Sequence, residues 1–308
     1  MPVRTLIALI LIAVAAPHSA AQEIARACGG GTRDAFCDAV GAAAERALPR
    51  AALAAVGGNP IPGTASTLGF RLADAPRWSL GLRFTGVASS LPAVDAAAET
   101  DELSPFATGL GLDGAVGILQ GWSPLPTVGG VGSLDVLVGV SRVGFAGGRD
   151  YADSFWSWGG GARVGLLRES FTLPGVALGA TYRRLQGVRF GDEDLADAES
   201  FIAGDVNVLS ARATAGKTIL LLGLTGGVGW DRLSGDIRAG ATGGLPERRG
   251  TAEGWSTDRM MVFGNASYTY LVLHLVLEAG WQEGADLPAG QDADDGGFFG
   301  GVSLRLSI

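Results

Sequence analysis

Few residues in this chain have the types and spacing that chemistry needs, and they gather toward its C-terminal end. His274 follows Asn265 and Ser267 in a segment whose side chains alternate with period two, so a turn about Thr269 sets His274 opposite Asn265 with Ser267 nearby. A serine, a histidine and an asparagine held together would supply a nucleophile, a general base and an orienting group. Glu278 shares the face of His274, and Arg305 takes the same phase in the next segment, with Arg83, Asp113, Asp135 and Arg163 in matching phases upstream, as are Arg71 and Asp205. A surface carrying both signs of charge pairs with itself, so the expectation is a polar ladder in which Glu278 and Arg305 latch across a narrow space. Two near-motifs carry no chemistry: GLGLDG at residues 109–114 lies within a strand pattern, and AGKT at residues 215–218 lacks the first glycine and the following helix of a phosphate loop. No metal site and no cofactor is expected.

The elements that must position these residues are strands. Thr64 to Leu72, Trp78 to Ala88, Phe106 to Gly121, Ser133 to Phe145, Phe155 to Leu167, Val176 to Phe190, Phe201 to Ala213, Thr218 to Arg232, Trp255 to Tyr268, Leu271 to Gln282 and Phe298 to Ile308 all read as extended. Leu271, Leu273, Leu275, Leu277, Ala279 and Trp281 face one way, and Val272, His274, Val276 and Glu278 the other. Long acidic connections at Ser89 to Pro105, Ala146 to Ser154, Gly191 to Ser200, Leu233 to Gly254 and Glu283 to Gly297 alternate with mostly shorter turns. The tryptophans fall at or beside the predicted strand ends, as in the aromatic girdles of a membrane barrel. Charged residues are 18% of the chain, below the ~25% of ordinary domains, and Gly is 50 of 308 residues. No window past the leader offers the ~20 apolar residues of a membrane helix. Any membrane crossing must therefore be a closed barrel, in which strands satisfy one another's backbone groups.

The two ends frame this reading. Arg4, the apolar run Leu6 to Ala16 and the small residues Ser19 to Ala21 form a secretory leader cleaved near Gln22. In an exported protein Cys28 and Cys37 pair as a disulfide. Arg33 to Val56 is Ala-rich and helical, with Pro49 expected to kink or split it, and it breaks at Gly57, Gly58, Asn59, Pro60 and Pro62. The domain layout is thus residues 1–21 as signal peptide, residues 22–63 as a disulfide loop and helical segment, periplasmic or a plug, and residues 64–308 as the barrel.

The closing stretch FFGGVSLRLSI, Phe298 to Ile308, resembles the C-terminal signal strand of Gram-negative outer-membrane β-barrels, with Ile308 in place of the usual terminal aromatic. That resemblance implies an all-β fold, a transmembrane antiparallel up-and-down β-barrel of 10–12 strands with a short N-terminal helical segment. It also implies residence in the bacterial outer membrane, with outer-membrane lipids and the barrel assembly machinery as partners. The helix followed by Gly-Asn-Pro resembles the N-terminal hatch of outer-membrane long-chain fatty-acid transporters. The Ser267, His274 and Asn265 grouping resembles that of outer-membrane phospholipase, but its phase points into the lumen and away from lipid, so no catalytic residue is expected. The expected role is a passive channel or transporter of small or hydrophobic solutes; the alternatives are a non-transporting structural or surface-interaction barrel and, after it, an outer-membrane enzyme. The net charge of -8 excludes nucleic acid as a partner.

Overall fold

A computed structural model describes residues 20–308 apart from 32–34, 70–74, 89–105, 124–128, 147–153, 192–199, 242–247, 286 and 288–293. Arg71, most of the leader and most residues of the acidic connections lie outside the described residues. Two helices, α1 (Ala20–Cys28) and α2 (Ala35–Val56), precede ten strands: β1 (Trp78–Ala88), β2 (Phe106–Leu119), β3 (Ser133–Ala146), β4 (Phe155–Leu167), β5 (Gly175–Gly191), β6 (Ser200–Ile219), β7 (Leu222–Ala241), β8 (Arg248–Tyr270), β9 (Leu273–Gln282) and β10 (Gly297–Ser307). Each strand pairs antiparallel with its sequence neighbours, and β1 pairs with β10, so the sheet closes into a ten-stranded barrel without free edges.

Closure fixes which way each side chain points. Leu80, Leu82, Leu110, Leu112, Val138, Leu178, Leu224, Val228, Leu275, Leu277, Val302 and Leu304 stand exposed on the outer wall, while their chain neighbours face the lumen. Trp156, Trp158, Trp230, Trp281 and Phe298 lie toward the end of the barrel that carries the long connections, the loop end; Trp78, Trp122, Tyr268 and Tyr270 lie toward the other, the turn end. Such an apolar band between aromatic belts is the surface that a hydrocarbon layer solvates. No helix of the described residues is long and apolar enough to cross a membrane.

Five sequence expectations change. Thr64 to Gly69 forms no strand and runs inside the barrel, which brings the count to an even ten. The expected connection Leu233 to Gly254 is largely strand, because β7 and β8 extend together past Gly235 through a bulge. Trp255 therefore lies within β8 and is fully buried in the lumen instead of joining a girdle. Asp205 points outward, since Val206, Val208 and Ser210 occupy the inner phase of β6. Pro49 does not split α2, which is continuous from Ala35 to Val56.

The helices fill the barrel. Cys28 and Cys37 are disulfide-bonded, with their Cα atoms 5.6 Å apart, and tie α1 to the start of α2. At loop-end height α1 rests on the extensions of β7 and β8. From there α2 descends the lumen for roughly 33 Å. Its composition suits the space: Ala42, Ala43, Ala44, Ala47, Ala51, Ala52, Ala54 and Ala55 are all buried, so the helix is thin enough to lie inside ten strands. Leu48, Leu53 and Val56 pack with wall residues Val143, Phe155, Leu185, Val206, Leu233, Met261, Phe263 and Phe299 in one apolar core. The wall makes room as well, since a Cβ built on Gly109 of β2 would overlap the Ala54 carbonyl.

Candidate functional site

The site is a clasp on the N-terminal segment, built where α2 ends at mid-lumen. A helix leaves its last carbonyls without intrahelical partners and carries negative potential there. Gly57, at a φ of 68° that a glycine adopts without strain, ends α2 by returning its N–H to the Leu53 carbonyl at 2.8 Å. The carbonyls beyond are met by the wall. Arg83 Nη1 donates to Val56 and its Nη2 to Asn59 at 3.0 Å, Arg183 Nη1 and Ser141 Oγ donate to Ala55 at 3.3 and 3.2 Å, and Arg212 Nε donates to Gly58 at 3.0 Å. Asp113 bridges Arg83 and Arg183 at 3.0 and 2.6 Å, and Asp231 holds Arg212 at 2.7 Å. Guanidinium groups thus face the negative end of the helix while carboxylates behind them hold their geometry.

Glu278 completes the clasp from the opposite side. Its two carboxylate oxygens accept the Gly58 and Asn59 amides at 2.8 and 2.9 Å, and Asn265 Nδ2 donates to the second at 2.7 Å. Asn59 in turn donates its side-chain amide to Asn265 Oδ1 at 2.8 Å. Below this level residues 60–68 continue toward the turn end, where Arg163 donates to the Thr64 and Ser66 carbonyls at 3.2 and 2.6 Å and pairs with Asp135 at 2.9 Å. Asp135 also accepts the Leu68 amide at 3.0 Å. The chain enters the barrel at the loop end, is held at its middle and leaves beside β1.

Above the middle, Pro49 and Glu45 form a second contact. Proline has no N–H, so the Glu45 carbonyl that would have received it stays open, and Arg259 Nη2 donates to it at 3.3 Å. The Glu45 carboxylate pairs with Arg259 at 2.6 Å and accepts from Thr257 Oγ1 and from Trp255 Nε1. Burial pushes the Glu45 carboxyl up from its ordinary value, outweighing the neighbouring Arg259, Thr257 and Trp255, which pull it down. At the loop end Arg50 pairs with Asp294 at 2.8 Å, both buried.

Of the residues singled out in the sequence, Arg83, Asp113, Asp135, Arg163, Asn265 and Glu278 meet on this segment. His274 and Arg305 do not. The β8 to β9 turn falls at Leu271 and Val272, so His274 stands opposite Thr269, whose hydroxyl lies 2.9 Å from Nδ1, and Asn265 stands opposite Glu278. The expected grouping of Ser267, His274 and Asn265 is therefore not assembled: Ser267 contacts the carbonyls of Gly63 and Gly223. Arg305 stands beside Gly81 and opposite His274, and among the described residues it makes no ion pair with Glu278 or any other carboxylate, so the expected latch is absent. Arg183, Arg212, Asp231, Arg259 and Glu45 were not singled out. For the four on the wall the available signal is strand phase, since Arg212 shares the phase of Val206, Val208 and Ser210, whereas Glu45 lies on α2 and carries no such signal.

The sequence matches no protein-family model and no curated protein. Among solved structures the fold is similar to the translocator domain of autotransporter NalP from Neisseria meningitidis, at 12% identity and a TM-score of 0.46, covering 75% of this chain and 88% of that one. It is also similar to the outer membrane protease OmpT from Escherichia coli, at 12% identity and a TM-score of 0.35, covering 80% of this chain and 100% of that one. A third is the Pseudomonas putida toluene transporter TodX, at 10% identity and a TM-score of 0.30, covering 80% and 95% respectively. These are likenesses of barrel architecture, and none of the activities in those names passes to this chain with them.

Proposed function

We propose that this chain is an outer-membrane barrel closed by its own N-terminal segment, and that it acts as a surface-interaction barrel instead of an open pore. The observation that carries the reading is the clasp: the C-terminal end of α2 is held at mid-lumen by Arg83, Arg183, Arg212 and Glu278, all facing inward, with packed apolar side chains filling the lumen above it. Bacterial barrels place short turns in the periplasm and long loops outside. On that rule the disulfide-tied pair α1 and α2 opens toward the cell surface, beside the connections that flank β7, β8, β9 and β10. The reading assigns the protein no reaction.

The test is topological. A short epitope tag inserted after Gln22 should be labelled on intact cells, and equally so in lysed ones. A tag that becomes reachable only after the outer membrane is opened would show that the segment enters from the periplasmic side.

A second reading, gated passage of small or hydrophobic solutes, is favoured by the change of filling below Val56. There residues 57–68 are held chiefly by hydrogen bonds to wall side chains, and hydrogen bonds exchange with water at a net cost of only about 1 kcal/mol each. Uptake of a labelled apolar solute into vesicles, faster with the native barrel than with empty vesicles, would favour this reading over the first.

A further inference from the structure

The clasp leaves one buried cation unused. Among the described residues the wall turns six buried arginines into the lumen, and five of them, Arg83, Arg163, Arg183, Arg212 and Arg259, each hold a carboxylate at 2.6 to 3.0 Å. The sixth is Arg305 on β10. It is 4% exposed, its Nε is enclosed without a partner, and no side chain or backbone group of the chain accepts from its guanidinium. The neighbouring charge that acts on it, Arg163, has the same sign. A guanidinium carries five N–H donors and cannot shed its proton, so burying it without an acceptor is costly, and an anion seated against it removes that cost.

The wall around Arg305 has room for such a group. Arg305 stands between Gly81 of β1 and His274 of β9. Gly81 takes the inward phase without a side chain, and a Cβ built there meets nothing nearer than 3.9 Å, the nearest atoms being Cβ and Cγ of Arg305 and the Asp113 carbonyl oxygen. The wall is therefore recessed by one side chain directly beside the stem of Arg305. Two positions further along β10, in the same phase, the Ser307 Oγ is enclosed without a partner. On the other flank the Thr269 hydroxyl lies 2.9 Å from Nδ1 of His274. With that hydroxyl as donor, Nε2 carries the proton and can donate as well.

The carboxylates on this side of the lumen are already committed. Asp113, opposite Gly81, is shared between Arg83 and Arg183, and Glu278 accepts the Gly58 and Asn59 amides. The N-terminal segment keeps to the other side: Ser66, Thr67 and Leu68 bond to Arg163, Ser133 and Asp135 of β3 and β4, and Gly69 lies against Gly117 of β2. Arg305 is three residues from the chain end, roughly 10 Å along the strand at ~3.3 Å per residue, so the turn end is the short way in. A recess one side chain wide limits the occupant to a small group, and the guanidinium fork matches two oxygens on one carbon or phosphorus. We infer that the lumen beside Arg305 is a binding site for one small oxyanion, a carboxylate or phosphate group, held by Arg305 with Ser307 and His274. The site is formed by the inner wall alone, so it does not depend on which side of a membrane the loops face.

The experiment uses the full chain, disulfide intact, folded in an uncharged detergent at neutral pH, and measures radiolabelled inorganic phosphate retained on equilibrium dialysis in a chloride buffer. One phosphate per chain is expected at saturation. Unlabelled acetate should displace it, and further chloride at the same ionic strength should not. Arg305→Gln should weaken binding by about tenfold or more, as expected for loss of a charge-assisted pair. Gly81→Val, which fills the recess and leaves every charge in place, should weaken it as well, whereas Arg142→Gln, bonded to Ser154 away from the lumen, should bind like the native chain. Phosphate held equally well by Arg305→Gln, or displaced by chloride as readily as by acetate, overturns the proposal. The native chain gives a readout that needs no variant: the Arg305 Nε–H resonance should move and saturate over the same range of phosphate. A resonance that stays where it is overturns the site even if a variant fails to fold.

Discussion

At the scale of the residue, most of the inner charges could be picked out from sequence but their partners could not. Glu278, Asn265, Arg83, Asp113, Asp135 and Arg163 are marked by strand phase alone, because period-two alternation survives wherever one face is buried. Apart from Asp113, which braces Arg83 and Arg183, they hold groups of residues 56–68, some two hundred positions away for Glu278, and no local pattern encodes such a contact. The missing latch between Glu278 and Arg305 follows from this: Glu278 is taken up by two amides and Asn265, so it has no need of a guanidinium. Replacing Glu278 with Ala leaves the Gly58 and Asn59 amides buried without acceptors, at a cost of about 3 to 5 kcal/mol to the seating of the segment. Limited proteolysis near residue 58 should then become faster while the barrel stays heat-resistant; unchanged cleavage would mean that Glu278 does not hold the segment. Pro49→Ala tests the neighbouring contact in the opposite direction. Restoring the N–H should stabilise α2, but by less than the ~3 kcal/mol of an ordinary helix interior, because the Glu45 carbonyl already has Arg259 as donor. A loss of stability in urea titration would contradict that account.

At the scale of the element, the helix was legible and its location was not. Alanine is the best helix former, so Arg33 to Val56 reads as helical from composition. The same alanines also make the helix thin, a property that matters only if it lies inside something narrow, and Gly109 in β2 supplies the matching groove. Gly109→Ala should therefore unseat α2 and cost about 1 to 3 kcal/mol, measured as loss of protection of α2 amides in hydrogen exchange. Gly264→Ala, where a Cβ meets nothing nearer than 3.9 Å, should leave protection unchanged. The final hairpin separates the two faces of the wall. Leu275 is exposed on the outer face, and Arg there should cost about 2 to 4 kcal/mol and hinder insertion. Val276 is buried against Gly63, so the lumen does not simply tolerate charge at this position: Val276→Arg should insert and yet expel the segment. If both variants fail to insert, the assignment of the two faces is wrong.

For the molecule as a whole, alternating strands, the alternation of long and short connections and the closing strand were enough to indicate a closed antiparallel barrel. The even count was not, because Thr64 to Gly69 alternates like a strand yet pairs with side chains of the wall and not with a neighbouring strand. The disulfide joins only α1 to α2, so replacing Cys28 and Cys37 with Ser should release α1 to protease while barrel closure, made by β1 and β10, is unaffected. In the proposed reading the chain's own N-terminal segment closes the lumen. Conductance of the native protein in planar lipid bilayers tests it most directly, compared with a variant carrying Arg83→Ala and Glu278→Ala together. The native barrel should show no steady ion current, and the variant should open intermittently as the segment leaves its seat; a wide, continuous pore in the native protein, left unchanged by the two substitutions, would contradict the account.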